Sequence, residues 1–182
     1  MEQNQALLLI DIQNDYFEGG LFPLHNPQAA LANAQNALSR FRSAGLPVIH
    51  AQHINTREGA TFFLPDTQGV KIHEALTPLD GEYVVVKHAP SSFYQTNLAE
   101  ILSSLHITSL VVCGMMSHMC IDTTVRAAKD YGISITLLED ACATRDLEWD
   151  GVAIPAQTVH KTFMAALNGI FANVTQADEF VL

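Results

Sequence analysis

The stretch ITSLVVCGMMSHMCIDTTVRAA, residues 107–128, decides how this chain folds. Its first third, ITSLVVCG (107–114), is an uninterrupted apolar run ending at a glycine, the mark of a strand buried on both faces. Its last third, continuing as CIDTTVRAAKDYG (120–132), has helical spacing and stops at Gly132. The connection between them carries three methionines, a histidine and a cysteine. A Ser, Thr or Asp would be the ordinary cap at that place.

The same strand-then-helix alternation extends in both directions. QALLLIDI (5–12) is a first strand, and NPQAALANAQNALSRFRSAG (26–45) a helix opened by Asn-Pro and closed by Gly45. LPVIHAQHI (46–54) and EYVVVK (82–87) are the second and third strands, and QTNLAEILSSL (95–105) is a helix. Residues 55–81 are rich in Gly, Pro, Thr and Asp, so they form a long loop with a helical turn near Ile72–Leu76. ISITLLED (133–140) is the fifth strand, PAQTVHKTFMAALNGI (155–170) a helix, and ANVTQADEFVL (172–182) a last strand or tail. Buried strands alternating with amphipathic helices predict a single α/β domain. The expected architecture is a doubly wound, six-stranded parallel sheet of order 3-2-1-4-5-6, with helices on both faces.

Composition excludes several roles. A net charge of −10 without any basic cluster argues against nucleic acid as a partner. The run ALLLI (6–10) stops at Asp11, too short for a signal peptide or a membrane span. Three cysteines, Cys113, Cys120 and Cys142, form no metal-type pair and suit the reducing cytoplasm.

In the expected topology the switch point lies between strands 1 and 4, and ligands bind beyond the carboxyl ends there. Asp11 ends strand 1, Lys87 ends strand 3, and Cys120 opens the helix after strand 4, so the three share one rim. A helix N-terminus and a lysine both favour a thiolate, and a carboxylate can accept and return a proton. That is a nucleophilic acyl-transfer set without a histidine. Taken singly, each residue has a plainer reading: Asp11 as a turn cap, Lys87 as a solvated strand end, Cys120 as a small buried apolar group.

DIQNDYF (11–17), the lysine of VVVKHAPSSF (84–93), and GMMSHMCIDTTVRAA (114–128) followed by LLEDACATRD (137–146) resemble the isochorismatase-like cysteine hydrolases. That superfamily includes nicotinamidases and N-carbamoyl amide hydrolases, and the resemblance covers nearly the whole chain. It implies a catalytic triad of Asp11, Lys87 and Cys120 and a thioester intermediate. It also implies an oxyanion hole from the backbone N–H groups of Met116 and Cys120, and a cis peptide between Met116 and Ser117. Isochorismatase proper, a vinyl-ether hydrolase, lacks the cysteine, so Cys120 points instead to hydrolysis of a C–N bond in a small amide or ureido compound.

Nicotinamidases carry an Asp-x-His metal set after strand 2. Here that region reads HAQHIN (50–55), lacking the acid and a later histidine, so no metal and no other cofactor are expected. Tyr16 occupies the place of an aromatic substrate cover, against core packing as the plainer reading. Phe93 and Trp149 either wall the pocket or sit at a subunit contact. His118 is expected to bond the backbone of its turn, and Arg126 to pair with Asp122 one helical turn away. The family habit is a homodimer or homotetramer. The rivals are a vinyl-ether or other C–O hydrolase on the same scaffold and a doubly wound binding or signalling domain without catalysis.

Overall fold

A computed structural model describes residues 4–182. Six parallel strands form one sheet in the order β3-β2-β1-β4-β5-β8. They are β1 (Gln5–Ile10), β2 (Val48–His53), β3 (Tyr83–Lys87), β4 (Ser109–Met115), β5 (Ser134–Ala143) and the short β8 (Asn173–Thr175). The expected sheet order is therefore present. The sixth position is taken by β8 because two further strands intervene in the chain. These are β6 (Leu147–Trp149) and β7 (Val152–Ile154), which pair antiparallel as a separate hairpin between two elements that the sequence predicts.

The helices divide unequally. On one face lies α1 (Pro27–Ser43), whose Leu31, Leu38 and Phe41 pack on Leu7, Leu9 and Val111. Pro27 at its first turn and Gly45 (φ +65°) just past its end match the expected boundaries. Asn26, however, sits in the left-handed region and its side chain caps nothing. The long loop completes this face through Phe63, Val70 and Leu76, and the C-terminus through Phe180. The helical turn in that loop is a 3-10 turn at Glu74–Leu76.

On the other face lie α2 (Leu98–Ser104), α3 (Asp122–Asp130) and α4 (Ala156–Leu167). Their Leu98, Leu102, Val125 and Met164 cover Leu8, Ile10 and Val112. With both faces covered, every residue of β4 is buried. Each fully buried aliphatic side chain contributes about 1.5–3 kcal/mol, which is why the parallel strands read as unbroken apolar runs.

At the switch point β1 and β4 approach each other closely. Gly114 pairs with Ile10 at φ +134°, and a Cβ there would lie 2.0 Å from the Ile10 carbonyl oxygen. No other residue fits. The β4–β5 register also slips between Val112 and Gly114. The slip restarts the ladder at Gly114–Cys142 and Met115–Ala143, right where the chain turns toward Cys120.

Candidate active site

The strand order explains how Lys87 reaches Asp11. Asp11 follows the end of β1, and Lys87 ends β3, two strands away with β2 between. Adjacent strands are about 4.8 Å apart, so the long lysine side chain must pass over the end of β2 to arrive. The residue it passes is His53, its lateral partner in the β2–β3 ladder. Lys87 Nζ gives hydrogen bonds to His53 Nδ1 at 3.2 Å, to the Ala89 carbonyl at 3.1 Å and to the Pro90 carbonyl at 3.3 Å.

Asp11 Oδ2 lies 2.7 Å from the same nitrogen as an ion pair, both side chains being fully buried. Among the described residues, the Asp11 carboxylate oxygens have no partner beyond the Lys87 ammonium and the Cys120 thiol. Asp11 itself adopts φ +51°, in the left-handed region that an aspartate tolerates better than most residues. Its own amide is tied to the Ala51 carbonyl and its carbonyl to the Gln13 amide, so this turn is held from both sides.

Cys120 lies on a single π-helical turn, Ser117–Ile121, that leads into α3. The thiol therefore sits before the α-helix rather than in its first turn. Polar atoms of Asp11, His53 and Cys120 lie within 4.8 Å of one another. The three predicted residues thus converge, but in a closed interior instead of an open rim. Asp11 and Lys87 are fully buried, and Cys120 is only 5% exposed.

This burial reverses the expected state of the thiol. Desolvation raises the Cys120 pKa most, the Asp11 carboxylate adds to it, and the Lys87 ammonium opposes both without cancelling them. The resting sulfur is a protonated thiol. Burial alone would depress the Lys87 pKa, but the Asp11 carboxylate beside it leaves it above the ordinary lysine value, so it stays an ammonium. His53 is pushed down to about 4, first by burial and then by Lys87. It is therefore neutral, with a bare Nδ1 accepting from the ammonium.

His53 belongs to this site, whereas the sequence reading weighed it only as a metal ligand. The predicted strand order held the signal, since whatever ends β2 must lie between Lys87 and Asp11. Gln13 fixes its backbone, its side-chain oxygen accepting from the His53 amide at 2.8 Å and its nitrogen donating to the His53 carbonyl at 2.9 Å. His50 faces the other way, its Nε2 lying 2.8 Å from Glu82, because positions three apart on a strand project to opposite faces. Asp11, His53 and Cys120 offer three donors of the types that hold zinc, yet the Lys87 ammonium occupies their midst. A cation would have to displace it, so this donor set does not fit a resident metal.

Two sequence expectations need correction. The cis peptide joins Met115 to Met116, not Met116 to Ser117. The β4 ladder runs through Met115, so the first peptide past it is the one that turns, and this peptide carries the Met116 N–H. Trp149 stands 79% exposed on the hairpin, and so exposed a ring encloses no cavity within one chain.

Tyr16 is buried among Phe22, Phe62 and Phe63, with its ring 4.6 Å from that of Phe63. Burial first, and then the neighbouring Cys120 and Asp11, raise its pKa, which keeps its hydroxyl protonated next to the site. Phe93 is buried and stacks on Tyr131 at 4.5 Å, in the loop whose Ala89 and Pro90 carbonyls hold Lys87. His118 bonds the Thr144 side chain at 2.6 Å rather than backbone, and Arg126 pairs with Asp122 at 2.9 Å as expected.

A doubly wound parallel sheet with a thiol, a carboxylate and an ammonium buried together at its switch point defines a protein equipped for nucleophilic chemistry on a small molecule. The chain belongs to the isochorismatase family: the isochorismatase domain model matches residues 5–179. It is 52% identical to the uncharacterized isochorismatase family protein YddQ of Bacillus subtilis, over 97% of this chain and 98% of that protein. The crystal structure of a protein described as an isochorismatase hydrolase from Oleispira antarctica superposes with a TM-score of 0.94 at 47% identity, covering 98% of this chain and 96% of that one. A streptothricin hydrolase of Streptomyces noursei is 33% identical over 96% of this chain and 60% of its own length.

Proposed function

We propose that the chain is a cysteine-dependent hydrolase of the C–N bond in a small amide or ureido compound, acting through a thioester. The observation that carries this reading is the fully buried Asp11 carboxylate, held by the Lys87 ammonium at 2.7 Å and within 4.8 Å of the Cys120 thiol. A buried carboxylate beside a protonated thiol is a proton acceptor in waiting. The streptothricin hydrolase relative, a hydrolase by its name, lends support to a hydrolytic role.

In this scheme the Cys120 proton passes to Asp11 as sulfur attacks the substrate carbonyl carbon. The C=O bond becomes a C–O⁻, which the backbone N–H groups of Met116 and Cys120 hold as an oxyanion hole. The C–N bond then breaks, the leaving nitrogen takes the proton back from Asp11, and ammonia or an amine departs. Water gives a proton to Asp11 and adds to the thioester; the C–S bond breaks and the proton returns to sulfur. Lys87 stays an ammonium throughout and offsets the negative charge that moves between Asp11, sulfur and substrate. His53 holds Lys87 in line, and Tyr16 and Phe93 supply apolar walls against a planar substrate.

No metal or other cofactor takes part in this scheme. We further propose a cytoplasmic homodimer or homotetramer. All three cysteines are unpaired, and no helix of the described residues is long and apolar enough to cross a membrane. The hairpin also leaves Trp149 and Val152 exposed for a neighbouring subunit to cover.

The test is ammonia release from a panel of primary amides and ureido acids. Wild type is expected to turn over at least one, and a transient mass increase on the Cys120 peptide should appear on acid quench. Turnover by Cys120→Ala at the wild-type rate would refute the reading.

A further inference from the structure

The turn that carries Cys120 is anchored from outside by side chains far away in sequence. Ser117, its first residue, is fully buried, and its hydroxyl lies 2.8 Å from His160 Nδ1 on α4. The hydroxyl's other contact, to the Ala143 carbonyl, is long at 3.4 Å. His160 forms no other side-chain hydrogen bond among the described residues. The rest of its ring is half-buried and borders an open cavity of about 310 Å³ between α1, the end of β5 and the start of α4, beside Asn33 and Gln157. Burial holds its pKa below the ordinary histidine value, so the ring is neutral and can exchange a hydrogen bond with a hydroxyl.

We propose that His160 is a positioning residue, which sets the backbone of the Cys120 turn by fixing the Ser117 hydroxyl. Ser117 stands between Met116, whose N–H is one oxyanion donor, and Cys120, which supplies the nucleophile and the other donor. A shift at Ser117 therefore moves both donors relative to sulfur. This proposal rests on the hydrolase reading above. A residue needed only for packing would be apolar at this place. His160 instead has a polar edge on the turn and its remaining surface on an open cavity, where it contributes little to the core.

Displacing donors that bind only in the transition state lowers kcat and leaves KM alone. Loss of one such hydrogen bond is expected to lower kcat roughly tenfold. His160→Ala should show that fall with KM within about twofold of wild type. His160→Asn should recover most of the loss, because its amide reaches the place of Nδ1. Ser117→Ala should resemble His160→Ala, and the double variant should be no worse than either single one.

Unchanged kcat in His160→Ala, losses that multiply in the double variant, or a His160→Asn as impaired as the alanine variant would each overturn the proposal. Iodoacetamide alkylation of Cys120 separates the two claims. A wild type that alkylates but hydrolyses no amide or ureido compound refutes the hydrolase reading alone. The role of His160 is then read from alkylation rates: slowed several-fold in His160→Ala and restored in His160→Asn supports it, and equal rates in all three overturn it.

Discussion

Replacing Asp11 by Asn should make Cys120 easier to ionise while abolishing turnover. The substitution keeps the shape of the carboxylate and removes its charge. In the folded protein that charge ranks second, after burial, among the influences holding the thiol proton on. Its magnitude follows from the geometry. Two unit charges 4.8 Å apart, the outer bound of this cluster, interact by about 3.5 kcal/mol at an effective dielectric of about 20. At about 1.4 kcal/mol per pH unit, that is a downward shift of roughly two and a half units. The assay is the rate of iodoacetamide alkylation at Cys120 as a function of pH, read by peptide mass spectrometry so that buried Cys113 and Cys142 do not contribute. Lys87→Met should move the profile the opposite way, and Asp11→Asn with Lys87→Met should return it toward wild type. An Asp11→Asn profile that stays put or moves upward would refute the electrostatic account. Asp11→Asn with full turnover would remove it as the proton acceptor.

Gly114→Ala should cost about 3 kcal/mol or more, because the new methyl meets the Ile10 carbonyl at a positive φ; thermal unfolding and soluble yield report it. Glu82 is drawn down to about 2: burial opposes ionisation, but Arg42, the Leu79 amide and His50 outweigh it. A depressed carboxyl contributes stability above its unfolded value near 4.5 that is lost as pH falls toward 2, so Glu82→Gln should flatten the urea-unfolding profile across that window. Arg126→Ala should cost less than about 1 kcal/mol by the same measurement, since its ion pair with Asp122 is partly solvated.

The fold was legible because the central strands β1 and β4 are buried on both faces and so appear as unbroken apolar runs. The convergence of Asp11, Lys87 and Cys120 followed from strand order alone. What escaped has separate physical causes. The β6–β7 hairpin has a two-residue Asp150–Gly151 turn, both residues at positive φ, a signal present in the sequence. Its strands are three residues long and mostly exposed, so they lack the apolar run that marked the others. The thiol's protonation depends on how completely the long loop closes over the site, with Phe63 pinned by the Asp15 carboxylate at 2.6 Å. No local pattern reports such closure. The Ser117–His160 contact joins residues 43 apart through two side chains, with nothing in either neighbourhood to announce it.

The position of β3 has a consequence for how the protein fails. It is one of the two edge strands, five residues long, paired in the sheet with β2 alone, with Val84 and Val86 over 40% exposed. Lys87 is its last residue. Strands on a sheet margin open in local fluctuations that cost less than global unfolding. Warming or mild denaturant should therefore withdraw the ammonium from Asp11 while β1, β4 and the Cys120 turn remain folded. Inactivation would precede the loss of secondary structure, and it would reverse on cooling.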